Sequence, residues 1–145
     1  MKKTIFSISV FMMIFALSGS RLLAQDYRII VNKSNPVSSM TRQEVSKLFL
    51  KKILKWNNYQ TVLPVDLTED NPARKAFSKE IHKKDIKKVK AYWQKMIFSG
   101  RAIPPPQKAK ENEVLAYVQS NPSAIGYVSA SAQTGNVKVL KITEK

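Results

Sequence analysis

The stretch that most constrains this chain is Thr61 to Phe77, TVLPVDLTEDNPARKAF. Val62, Val65 and Leu67 read as a strand that runs straight into an acidic loop, and Asn71-Pro72 opens a helix. Asparagine is a good helix N-cap, and proline is favoured at the first helical position, where an N–H would have no partner anyway. In open α/β sheets ligands bind beyond the carboxyl ends of the strands, where helix N-termini turn free N–H groups toward anions. A small ligand is therefore expected at this loop.

On either side the chain keeps alternating between strand and helix patterns. Tyr27 to Asn32 (YRIIVN) is a short apolar run suited to a buried strand, ended by the turn cluster Lys33-Ser34-Asn35-Pro36. Thr41-Arg42-Gln43-Glu44 matches a capping box, and Val45, Leu48 and Phe49 follow at helical spacing, which predicts a helix from Arg42 to about Leu50. Trp56, among apolar neighbours, is expected to anchor the core or a loop. Ala73, Phe77 and Ile81 form the stripe of the helix after the central loop. Asp85 is placed to cap a third helix with Ile86, Val89, Trp93 and Met96 or Ile97 inward, stopped at Gly100. Beyond the stiff connector Ile103-Pro104-Pro105-Pro106, Glu113 to Ser120 is helical again. Ile125 to Ser129 is a strand in which Gly126 signals close backbone approach, and Val137, Val139, Leu140 and Ile142 make a last strand.

A chain of 145 residues is long enough for one domain with a real core. Lys2 and Lys3 precede an apolar run, Ile5 to Leu17, that is short for a membrane span, and small residues then lead to a cut after Ala24. The expectation is a secretory signal peptide over residues 1–24, a single domain over 25–145 and a periplasmic location. A cut near Ser18 or Ser20, or an uncleaved anchor, is the alternative. The formal charge of +15 makes the protein strongly basic, and Lys84, Lys87, Lys88 and Lys95 point away from the apolar stripe of the third helix. That face reads either as solvated surface or as a docking site for an acidic partner. Export and the lack of a recognition motif argue against nucleic acid.

Enzyme chemistry finds little support. The chain has no cysteine, hence no thiol nucleophile or thiolate metal site. His82, the single histidine, has no serine or cysteine motif beside it and falls at a helix end, where the dipole favours a cation. Asp66, Glu69 and Asp70 match no calcium-loop spacing, so no metal and no cofactor are expected.

One ordered set of residues carries a resemblance. Asn35-Pro36-Val37-Ser38 with Leu48-Phe49 and Trp56, then Val65-Asp66, Arg74-Lys75-Ala76-Phe77, Trp93 with Phe98-Ser99-Gly100, and Ala124-Ile125-Gly126-Tyr127-Val128 resemble the phosphate-binding proteins of ABC transporters. The likeness is closer to the short, single-lobe exported members of that group. It implies an α/β fold, a single lobe of a type II periplasmic binding protein with a mixed sheet flanked by helices, and no enzyme activity. The implied role is binding of phosphate or another oxyanion for ABC uptake or sensing, with a membrane transporter or envelope sensor as partner. The alternative is a ligand-free interaction module that docks an acidic envelope partner through its lysine-rich helix.

The departures from the pattern bear on the site. In the two-lobed phosphate binders the loop before the helix reads Ser-Gly-Thr-Arg. Here Arg74 and Phe77 keep the register, and Asn71, Pro72 and Ala73 stand where Ser, Gly and Thr would be. Pro72 has no N–H and Ala73 no hydroxyl. Lys51 stands where a glycine usually follows the first helix. The anion site still open to the chain uses Arg74 as a forked contact, hydrogen bonds from Thr68 and Asn71, and Ser38 and Ser39 before a second helix N-terminus facing the same crevice. The plainer alternative makes Arg74 a surface helix residue, Thr68 and Asn71 caps, and the two serines part of a turn.

Overall fold

The computed structural model describes residues 26–144; the expected signal peptide and its cut lie outside the described residues. The elements run β1 (Tyr27–Val31), β2 (Ser39–Thr41), α1 (Arg42–Phe49), β3 (Leu63–Pro64), β4 (Asp66–Leu67), α2 (Pro72–Ile81), α3 (Ile86–Phe98), β5 (Gln107–Lys108), α4 (Glu111–Ser120), β6 (Ala124–Ser129), β7 (Lys138–Val139) and β8 (Lys141–Thr143). The main sheet has the order β3-β6-β1-β7. Strand β1 runs antiparallel to β6 and β7, and β3 runs parallel to β6, so the sheet is mixed, as expected. Two short parallel pairs, β2 with β8 and β4 with β5, stand beside it.

Strand β6 sits at the centre because its sequence leaves no side to solvent. Ala124 to Val128 are all buried, and a strand buried on both faces needs a layer on each. Alternation sends Tyr127 to one face, where it stacks on Phe77 of α2 with Phe49 of α1 beside it. Gly126 points to the other, toward Val114 and Val118 of α4. Helices therefore flank the sheet, α1 and α2 on one side and α4 on the other. Helix α3 packs outside this arrangement, with Val89 and Trp93 against Leu50 in a separate small cluster.

The caps explain where the helices start. Thr41 Oγ1 accepts from the Glu44 N–H at 3.2 Å, and Glu44 Oε2 accepts from the Thr41 N–H at 2.8 Å. Asn71 Oδ1 accepts from the Ala73 N–H at 2.8 Å, and Asp85 Oδ1 accepts from the Lys88 N–H at 2.9 Å. Trp56 is the expected anchor: buried, its indole N–H donates to the Ser123 carbonyl at 2.9 Å. Lys51 holds φ at +53°, the left-handed conformation that glycine adopts freely, so the turn after α1 survives the loss of that glycine.

Three expectations need correction. The strand through Val62, Val65 and Leu67 is two strands, because the chain changes partners at Val65. Val65 N–H bonds to the Ile125 carbonyl and Asp66 N–H to the Pro106 carbonyl, each at 2.9 Å. Pro64, which lacks an N–H, is tolerated on the outermost strand of the main sheet. Ser39 belongs to a strand rather than a turn, and the last strand is split around the buried Leu140. On α3 it is Met96 that packs inward, while Ile97 is half exposed.

Gly126 is a point of close approach. A Cβ there would lie 2.8 Å from Val114 Cγ1 and 2.9 Å from Val65 Cγ1, both on stiff β-branched side chains. Gly126→Ala is expected to destabilise the protein by about 1–3 kcal/mol in urea unfolding, as overpacking of a closed core does.

Candidate functional site

The loop between β4 and α2 is built around a buried charge pair. Asp66 interrupts an apolar run and is 4% exposed; Arg74 lies in the first turns of α2 and is 3% exposed. Asp66 Oδ2 meets Arg74 Nη1 in an ion pair. Asp66 Oδ1 accepts a hydrogen bond from the Tyr127 hydroxyl and another from the Leu67 N–H, the latter at 3.0 Å. Burial raises the Tyr127 phenol well above its ordinary value, opposed by the Arg74 cation and the Leu67 N–H, so the hydroxyl keeps its proton and donates. Burial also lowers the Arg74 value, but a guanidinium remains charged even so. Its Nε has no hydrogen-bond partner among the described residues.

Several other polar groups of the loop are engaged within it or with neighbouring elements. Thr68 N–H donates to the Lys108 carbonyl at 3.1 Å, and the Thr68 carbonyl accepts from the Asn71 N–H at 3.1 Å. A hydrogen bond from Thr68 lowers the Asp70 carboxyl, which is itself fully exposed. The Asn71 side-chain oxygen is taken up by the Ala73 N–H. Thr68 and Asn71 thus share the loop turn before α2, Arg74 follows in the first turn of that helix with its guanidinium buried against Asp66, and the reading of Arg74 as a surface residue is removed.

Ser38 and Ser39 lie elsewhere. Both are exposed, and the Ser38 carbonyl accepts from the Lys141 N–H at 3.0 Å. They line a cavity of about 320 Å³ with Asn35, Trp56, Asn57 and Asn58, and Thr68, Asn71 and Arg74 do not border it. Lys84, Lys87 and Lys88 line a cleft of about 770 Å³ with Lys75, Lys79 and Lys83. Lys95 is exposed farther along α3, outside that cleft.

His82 departs from the cation expected at a helix end. It is buried, edge-on to Phe77, with Ser46 Oγ 2.8 Å from Nδ1. Burial first, then Arg74, Lys84 and Lys52, push its value from 6.5 down to about 3, so it is neutral at physiological pH. No carboxylate bonds its other ring nitrogen among the described residues, so the serine and histidine do not form a triad.

Residues 18–144 match the family model described as the PBP superfamily domain. The chain belongs to this family. The fold of this PBP-domain chain is also that of solved binding proteins. A candidate phosphate ABC transporter substrate-binding protein from Clostridium perfringens, crystallised with bound phosphate, aligns with TM-score 0.66 and 20% identity, over 81% of this chain and 44% of its own. An ABC-type phosphate transport receptor from Vibrio cholerae aligns with TM-score 0.65 and 17% identity, over 81% of this chain and 46% of its own. The PBP-domain chain spans less than half the length of either. No curated protein sequence matches it.

The buried pair and the buried histidine each make a measurable demand on the PBP-domain fold. Arg74→Met leaves the Asp66 carboxylate buried without its cation and is expected to cost about 3–5 kcal/mol in urea unfolding, much of it recovered when Asp66→Asn is added. For His82 the folded value lies below the unfolded one, so unfolding takes up a proton between the two. Its contribution to stability is complete above pH 6.5 and is lost as pH falls toward about 3. Unfolding curves should show up to about 1.4 kcal/mol per pH unit more acid sensitivity across that window than His82→Gln shows.

Proposed function

We propose that this chain is an exported, non-enzymatic solute-binding lobe that takes phosphate or another oxyanion, for ABC uptake or sensing, at the loop between β4 and α2. The observation that carries this reading is Arg74: a buried guanidinium fixed in the first turn of α2, with its Nε unpartnered among the described residues, on a fold shared with phosphate-binding transport proteins. Thr68 and Asn71 add polar groups on the same turn, and Ser38 and Ser39 supply a second, separate set of hydroxyls at the cavity near Trp56.

Charge sets the expected preference. Asp66 already balances Arg74, and Glu69 and Asp70 stand exposed beside the loop. A fully deprotonated, doubly charged anion is repelled there, whereas one that keeps a proton can donate a hydrogen bond to a carboxylate. The site therefore favours monobasic phosphate over sulfate.

Thermal unfolding of the protein with phosphate, sulfate and other oxyanions at fixed ionic strength tests this. A ligand that binds only the native state raises Tm as its concentration passes Kd. The expected result is a rise with phosphate that shrinks in Arg74→Lys, which keeps the charge and loses the fork, and in Thr68→Val, each compared with its own ligand-free Tm. Equal shifts for every salt, or none, would remove the specific-anion reading.

A further inference from the structure

Helix α3 contributes little to the main core, and its outward face is unusual. At about 100° per residue, Lys87, Lys90, Ala91, Gln94, Lys95 and Phe98 fall on one side, opposite the buried Val89 and Trp93, and all of them are exposed. The N-terminal end of this face opens into the cleft lined by six lysines, Lys75, Lys79 and Lys83 to one side and Lys84, Lys87 and Lys88 to the other. Among the described residues Asp85 is the one acid lining the cleft, and its carboxylate is committed to the cap of α3. The C-terminal end is apolar: Phe98 is 91% exposed and Ile97 51%, and Ile103, in the segment leaving the Gly100 turn, is 69% exposed.

Lysine without arginine is the second clue. Recognition of a particular carboxylate pattern favours the rigid fork of arginine, and α3 has none. Lysines are flexible point charges that suit a diffuse anionic surface. Of those on α3, Lys90 reaches an acid, Glu69, at 3.8 Å. A bare phenylalanine at the end of a basic helix is the arrangement of interfacial association, in which lysines meet headgroups and an aromatic ring enters the acyl boundary. No helix among the described residues is long and apolar enough to cross a membrane, so such an association would be peripheral.

We infer that the outward side of α2 and α3 docks on an anionic phospholipid membrane, the lysines holding headgroups and Phe98, with Ile97 and Ile103, entering the interface. This surface uses none of the residues assigned to the anion site. The absence of cysteine makes the test direct. In the full chain, Gln94→Cys on α3 and Asn58→Cys outside it are labelled separately with an environment-sensitive fluorophore. Each is titrated with vesicles of phosphatidylcholine alone and of phosphatidylcholine mixed equally with phosphatidylglycerol. The local label keeps the reading independent of any membrane affinity of the apolar N-terminal stretch.

The label at position 94 should move to an apolar environment with the anionic vesicles only and return to water at high salt, while the label at 58 stays in water. Each lysine near an anionic surface contributes about five-fold, so Lys84→Glu with Lys88→Glu should weaken the response at least about twenty-fold. Phe98→Ser, at a position too exposed to matter for folding, should weaken it further. A label at 94 that stays in water with anionic vesicles overturns the proposal, even if the chain as a whole binds them. So does an equal response to neutral vesicles, or a response to soluble polyglutamate in place of lipid, which would give the surface to an acidic protein.

Discussion

The Asp66 to Arg74 ion pair is the constraint on which the arrangement of the lobe depends. A buried pair of this kind adds little net stability, because desolvating both ions cancels most of their attraction. Its effect is on position. Asp66 begins β4, Arg74 lies in the first turn of α2, and the Tyr127 hydroxyl brings in the central strand, so three elements meet at one carboxylate. Below it Phe77 and Tyr127 stack with ring centres 3.9 Å apart and planes within 5°, and Phe49 of α1 closes on both. Moving α2 would break the ion pair and the stack together. The orientation of α1 and α3, which pack on α2 or beside it, follows from that junction.

The same junction sets the chemistry at the helix N-terminus. A helix start is ordinarily a reservoir of free N–H groups. Here Pro72 has none and the Ala73 N–H is held by Asn71. The cation of Arg74 is balanced before any ligand arrives. The loop of the two-lobed phosphate binders, as the resemblance describes it, leaves hydroxyls and N–H groups open; this one satisfies most of its own. An incoming anion has to compete with internal bonds and meets acids at Asp66, Glu69 and Asp70. On the reading proposed above, binding at such a site would be weak and proton-selective.

Much of the fold was legible in local chemistry. The capping box at Thr41, the Asn71-Pro72 start, the Asp85 cap and the Gly126 approach all follow from rules that act within a few residues. What was not legible depended on contacts distant in sequence. Nothing near Val65 announces that β3 and β4 take different partners, because the second partner, Gln107–Lys108, is supplied by a segment some forty residues away. Ser39 looked like part of a turn because its pairing strand lies at the far end of the chain. His82 was assigned by the helix dipole, worth about 0.3–1 kcal/mol at a surface, and burial outweighed it. The candidate site held one readable signal that went unused: Asp66 between Val65 and Leu67 is a lone acid in an apolar run, and a buried carboxylate needs a cation and donors. Arg74 and Tyr127 were both in view as separate motifs.

The charges of the lobe are segregated in a way that relates its two surfaces. Acids cluster at the loop before α2, and most of the cleft lysines gather where α2 ends and α3 begins, with Lys75 and Lys90 carrying the basic surface up to the loop. A lobe with a self-satisfied loop has little affinity to gain from tighter local contacts, since each would first have to undo an internal bond. Attachment elsewhere on the molecule changes the problem. Holding a weak site close to the membrane raises its effective concentration toward anything embedded there, without a single new contact at the site itself. Lys90 joins the docking face to Glu69 of the loop, so the basic surface and the acidic loop adjoin. On that geometry, weak capture at α2 and diffuse docking at α3 are compatible functions of one small domain, because the residues that serve one are not drawn from the other.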